Sequence, residues 1–106
     1  MESEKLYEIT AYTENQVGLL SSIAGIFTRR SMNIEKLLVY PSQIEGIHKF
    51  KIQTRTTETL VKATVLQIEK KVDVIKAYWQ VNDERTSREI EAVAAFLKER
   101  ENSNKQ

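Results

Sequence analysis

Gly18 stands where the chain enters a predicted helix, in a sequence with only three glycines. With no β-carbon there, a ligand can approach the backbone closely. The free N–H groups of the first helical turn can then hold an anion such as a carboxylate. The same glycine could do no more than ease the turn into the helix. Asn15, three residues earlier, is a candidate helix N-cap. Asn33 lies just before a second apolar run and has two readings, a binding group or a polar turn residue that tolerates left-handed geometry.

Other chemistry is poorly served. His48 is the single histidine, with no nucleophile or acid at a meaningful spacing, so it reads as structural or solvated. Ser21, Ser22, Ser31 and Ser42 lack the glycine-flanked elbow of a serine nucleophile. Glu14, Glu35, Glu45 and Asp73 are isolated charges on solvated faces. Zero cysteines exclude disulfides, thiolate zinc and a cysteine nucleophile. Binding is favoured over catalysis.

The 106 residues make one small domain, able to bury only ~60–70% of its unfolded surface. Hydrophobic residues at 41% and charged residues at 29% fit a globular chain. Sixteen lysines and arginines against 15 acids leave no long-range field to recruit nucleic acid or an anionic membrane. No apolar run approaches ~18 residues, and the first residues are acidic where a signal peptide would be basic. A cytoplasmic location is the expectation.

The elements that must position these residues follow from periodicity. Tyr7, Ile9 and Ala11 alternate with polar neighbours over residues 6–13, predicting a strand. Val17, Leu20, Ile23, Ala24 and Phe27 predict one face of a helix ending near Arg30. Asn33 to Tyr40 predicts a second strand closed by Pro41, and Ile47 to Thr54 a third, joined by the turn 41–46. Leu60, Val61, Thr64, Val65 and Ile68 follow a threonine cap as a second helix, and residues 72–81 predict a fourth strand. The order βαββαβ predicts an α+β, ferredoxin-like domain over residues 1–82. Its four-stranded antiparallel sheet would carry both helices on one face and leave the other open. In residues 83–106, Thr86-Ser87-Arg88-Glu89 fits a capping box, and Ile90, Val93, Ala94 and Leu97 mark an amphipathic segment over residues 87–98. A polar tail follows.

Two uses of an open sheet face can be weighed here. An RNA-recognition module needs aromatic residues at set positions on strands one and three, and strand three offers only Phe50. A phosphatase on this fold needs a cation in the first loop, and residues 13–18 hold none. Neither is favoured.

Asn15-Gln16-Val17-Gly18-Leu19-Leu20, Ile26-Phe27-Thr28-Arg29-Arg30 and Asn33-Ile34-Glu35 together resemble the ACT domain, specifically that of the regulatory small subunit of acetolactate synthase (acetohydroxyacid synthase, AHAS). Pro41, Ile52-Gln53-Thr54 and the stretch from Gln67 to Val74 extend the resemblance, which covers roughly residues 6–82. It implies a non-catalytic subunit with no cofactor of its own. Such a subunit binds a branched-chain amino acid, usually valine, and activates and feedback-inhibits a large catalytic subunit carrying thiamine diphosphate, flavin and magnesium. The family's ligand contacts map onto Asn15 and Gly18, with Asn33 supplied by the neighbouring protomer. Val17 or Ile34 would provide the apolar wall. The alternatives are a stand-alone amino-acid-sensing ACT protein with another client, or an RNA-binding ferredoxin-like module. Where the family commonly has glycine two residues before the second asparagine, this chain has Ser31, at a position that often needs positive φ. Longer family members continue into a second domain, and Arg88-Glu89-Ile90-Glu91 resembles the start of that continuation.

Strand two is a sheet edge in this topology, and Leu37, Leu38 and Val39 are too apolar for a solvated edge. Pairing with strand two of a second copy is therefore expected, giving a homodimer with an eight-stranded sheet.

Overall fold

The computed structural model describes residues 2–82 and 93–101. The capping box at Thr86–Glu89, the continuation at Arg88–Glu91 and the first half of the amphipathic segment lie outside the described residues. Residues 93–101 are helical and leave Val93, Phe96 and Leu97 exposed.

The elements run β1 (Lys5–Thr13), α1 (Gln16–Arg29), β2 (Lys36–Pro41), β3 (His48–Thr56), α2 (Glu58–Glu69) and β4 (Val74–Val81). The sheet order is β2-β3-β1-β4, antiparallel throughout, which is the βαββαβ fold expected. β2 and β4 are its edges. α1 carries the chain from β1 past β3 to β2, and α2 carries it from β3 past β1 to β4.

Strand alternation sorts the side chains. Ile9, Ala11, Phe50, Ile52 and Ala77 join Ile23, Ile26, Phe27, Val61 and Ile68 of the helices in one buried core. Each large apolar side chain fully buried there contributes ~1.5–3 kcal/mol of burial free energy. Trp79 packs edge-on to Tyr7 at 5.5 Å between centroids, and the Lys62 ammonium lies 6.0 Å from the Trp79 ring, fastening α2 to β4. Between the helices, Arg30 Nε donates to Gln67 Oε1 at 3.0 Å. Both helices are capped as their sequences predict: Asn15 Oδ1 accepts from the Gly18 N–H, and Thr57 Oγ1 from the Leu60 N–H.

Three details differ from expectation. The buried face of α1 is Leu19, Ile23, Ile26 and Phe27, while Val17, Leu20 and Ala24 face outward. α1 is apolar on most of its circumference, so period alone could not choose its inner face. β2 begins at Lys36, because residues 30–35 form the turn that redirects the chain from α1. β4 begins at Val74, with Val72 almost wholly exposed.

Candidate ligand-binding site

Three hydrogen bonds hold the β1–α1 loop, two of them on the Asp73 carbonyl. Thr13 Oγ1 donates to Asp73 O at 3.0 Å and accepts from the Asn15 N–H at 3.2 Å. Glu14 N–H also reaches Asp73 O, at 3.0 Å. The end of β1 is thereby tied to the start of β4, and Asn15 enters α1 with extended backbone, φ −118° and ψ 98°.

From that position the Asn15 carboxamide folds over the first turn. Gly18 N–H donates to Asn15 Oδ1 at 3.0 Å. A β-carbon at residue 18 would lie 3.1 Å from Asn15 Nδ2 and 3.2 Å from Asn15 Cγ. The space glycine leaves is therefore filled by Asn15. Val17, next to it, is 78% exposed and free to touch a ligand or a second chain.

Asn33 and Ile34 lie at the other end of the domain. Asn33 is exposed, and its carbonyl accepts from Thr54 Oγ1 at 2.7 Å. His48, at the far end of β3 from Thr54, pairs with Thr13 beside the Asn15 loop. α1 alone separates the two loops by ~21 Å, from its 14 residues at 1.5 Å each. Within one protomer the structure brings Asn15, Val17 and Gly18 together and keeps Asn33 and Ile34 apart from them.

Ser31, in the α1–β2 turn, has φ +56° and is the one non-glycine residue with positive φ among the described residues. The turn keeps the left-handed shape that glycine would adopt freely, and serine accepts the strain. Its carbonyl-to-amide pattern closes α1: Ser31 N–H donates to Thr28 O and Met32 N–H to Phe27 O.

Sequence reasoning missed Thr13. A threonine inside an alternating strand reads as packing, and its partner Asp73 is sixty residues away. The pairing of β4 with β1 is what brings the two together.

The profile of the AHAS small subunit-like ACT domain matches residues 9–76, spanning both loops. The probable acetolactate synthase small subunit of Methanothermobacter thermautotrophicus is 38% identical over 68 residues, 64% of this chain and 40% of that protein. The acetolactate synthase small subunit of Buchnera aphidicola subsp. Baizongia pistaciae is 35% identical over 77 residues, 73% of this chain and 48% of that one. The chain thus spans less than half the length of either relative. The solved structure of the acetolactate synthase small subunit from Thermotoga maritima superimposes with a TM-score of 0.63 at 23% identity, covering 70% of this chain and 46% of that chain, a likeness of fold. With the profile covering well over half of its residues, this chain belongs to the family of AHAS small subunit-like ACT domains.

Proposed function

We propose that the chain is a regulatory, non-catalytic small subunit of acetolactate synthase. As a homodimer it binds a branched-chain amino acid, valine first, and thereby activates and feedback-inhibits the thiamine-diphosphate-dependent large subunit. Family membership supports the regulatory role. One observation supports the shared site: the two halves of the candidate site lie at opposite ends of a protomer whose β2 is a sheet edge.

Antiparallel strands exchange their ends. If β2 pairs with β2 of a second copy about a two-fold axis, the start of one strand comes to the end of the other. The partner copy's loop 33–34 then moves toward this protomer's 15–18 loop, across a strand only ~20 Å long. The outward stripe of Val17, Leu20 and Ala24 on α1 gives this contact an apolar companion. In the resulting site the helix N-terminus takes the ligand carboxylate, the asparagine carbonyls take its ammonium, and Val17 and Ile34 take its methyl groups. Because Asn15 already occupies the Gly18 N–H, binding exchanges one acceptor for another on that group.

Calorimetric titration of the chain with valine, leucine and isoleucine tests ligand binding. Assay of the cognate large subunit with pyruvate, with and without the chain, tests regulation. Saturable binding, raised activity and valine inhibition are expected. Binding of none of the three, together with no change in large-subunit activity, contradicts the reading.

A further inference from the structure

The face of the sheet turned away from the helices carries an ordered row of charge and aromatic groups. In register across all four strands stand Tyr40, Lys49, Tyr12 and Lys76. The Lys49 ammonium lies 5.5 Å from the Tyr12 ring centroid and 5.9 Å from that of Tyr40. Tyr78 borders them on β4, and Ile44, Ile47 and Ile75 wall a cavity of about 640 Å³ above the row. By strand alternation Lys36, Lys49, Lys51, Arg55 and Lys76 stand on this face of the four described strands, where Glu8, itself buried, is the one carboxylate.

Lys51 already has an acid, Glu8, at 3.4 Å. Lys49 differs. It is half-buried, and the groups around its ammonium are phenols, with no carboxylate within ion-pair distance among the described residues. A partly desolvated ammonium in an aromatic frame, bordered by exposed isoleucines, is completed by an acid brought in beside apolar side chains. Single-stranded nucleic acid fits less well. Base stacking needs free aromatic faces, and here one ammonium sits over both Tyr12 and Tyr40.

We propose that the Tyr40–Lys49–Tyr12–Lys76 row is a docking surface for an acidic segment of the large subunit, its carboxylate seated on Lys49 and its apolar neighbours against Ile44 and Ile75. The choice of partner rests on the regulatory reading above; the choice of chemistry rests on the row. The position also bears on regulation. Tyr12 on this face precedes Thr13, which holds the Asn15 loop on the other, and the register between β1 and β4 is irregular between these two residues. A partner docked here lies one residue of backbone from the candidate ligand loop.

The test is calorimetry of the full chain against the cognate large subunit, comparing wild type with Lys49→Gln, Lys49→Arg and Lys76→Gln. Valine-dependent thermal stabilisation is read on each as a check on fold and ligand site. Losing one partner of a buried charged pair predicts binding weaker by about 30-fold or more for Lys49→Gln. Lys49→Arg stays within a few-fold of wild type, Lys76→Gln chiefly loses salt sensitivity, and the valine response persists in all three. Large-subunit binding as tight in Lys49→Gln as in wild type overturns the surface and leaves the regulatory reading intact. No binding by wild type overturns both. A uridine 20-mer that binds only when Lys49 is present, with large-subunit binding indifferent to Lys49, makes the row a nucleic-acid site and overturns the proposal.

Discussion

Gly18 and Asn15 share one hydrogen bond and one small volume: the glycine N–H donates to the asparagine Oδ1 at 3.0 Å, and the asparagine carboxamide fills the place of the missing β-carbon. The same contact caps α1 and occupies the N–H that a ligand carboxylate would seek. Folding and binding therefore make separable demands on Asn15.

Asn15→Asp separates them. Aspartate caps a helix as well as asparagine does, and its charge gains ~0.3–1 kcal/mol from the helix dipole. Melting should be unchanged or slightly raised. A charged acceptor holds the Gly18 N–H against exchange and repels the ligand carboxylate, an effect offset in part at the ligand ammonium, so valine binding should weaken by roughly several-fold. Asn15→Ala, by contrast, should lower stability by ~1 kcal/mol. Calorimetric melting and titration of both variants check this; an aspartate variant that binds valine normally would remove the carboxylate from this helix end.

Ser31→Gly relieves the strained turn. A left-handed non-glycine residue costs ~1–2 kcal/mol, while glycine adds ~0.5–1 kcal/mol of backbone entropy cost on folding. The net gain is small and positive, and the melting temperature should rise by a few degrees. A fall would show that serine makes a compensating contact in the turn.

The fold was legible because its signals agree. Tyr7, Ile9 and Ala11 alternate cleanly, Asn15 and Thr57 cap the helices they precede, and Val61, Thr64, Val65 and Ile68 leave α2 one inner face. α1 was harder, since Leu19 and Leu20 are equally apolar and only packing against the sheet selects Leu19. Position 31 takes the positive φ that the family's glycine would adopt, even though the residue here is serine. For the candidate site, residue types alone single out Asn15, Gly18 and Asn33, and no local signal says that Asn15 and Asn33 lie at opposite ends of a protomer. The aromatic row was hidden in another way. Phe50 drew attention as the aromatic of strand three, yet alternation turns it into the core and leaves Tyr12, Tyr40 and Tyr78 on the far face.

Tyr12 should report on its lysine. Burial pushes its phenol up, but hydrogen bonds with Lys49 and Tyr78 outweigh this and hold it below the ordinary tyrosine value. Burial likewise pulls Lys49 down, and its bond to Tyr12 reverses that to a net rise. The signs fix the pH windows. The Lys49 contribution is complete below the ordinary lysine pKa and is lost as pH rises through its raised value. That of Tyr12, an acid with a depressed pKa, is complete above the ordinary tyrosine value and is lost as pH falls through the lowered one. Near neutrality neither contribution varies with pH. Ultraviolet titration should show Tyr12 ionising below the ordinary tyrosine value, and Lys49→Gln should abolish that early step. A Tyr12 phenol that ionises no earlier in wild type than in Lys49→Gln would contradict the contact.

A ligand site built from two copies predicts that mixing two defective subunits restores binding. Gly18→Asp places a side chain and a negative charge against Asn15 at the carboxylate seat. Asn33→Ala removes a hydrogen bond to a charged group, a loss of ~1.5–3 kcal/mol. Each homodimer should lose the valine-dependent rise in melting temperature. In a heterodimer of the two, one site collects both lesions and the other collects neither. Valine at about one hundred times its dissociation constant should then restore ~2.7 kcal/mol of stabilisation at the intact site. Recovery of the melting shift in the mixture, absent from either variant alone, is the predicted result; verified subunit exchange with no recovery would contradict a site shared across β2.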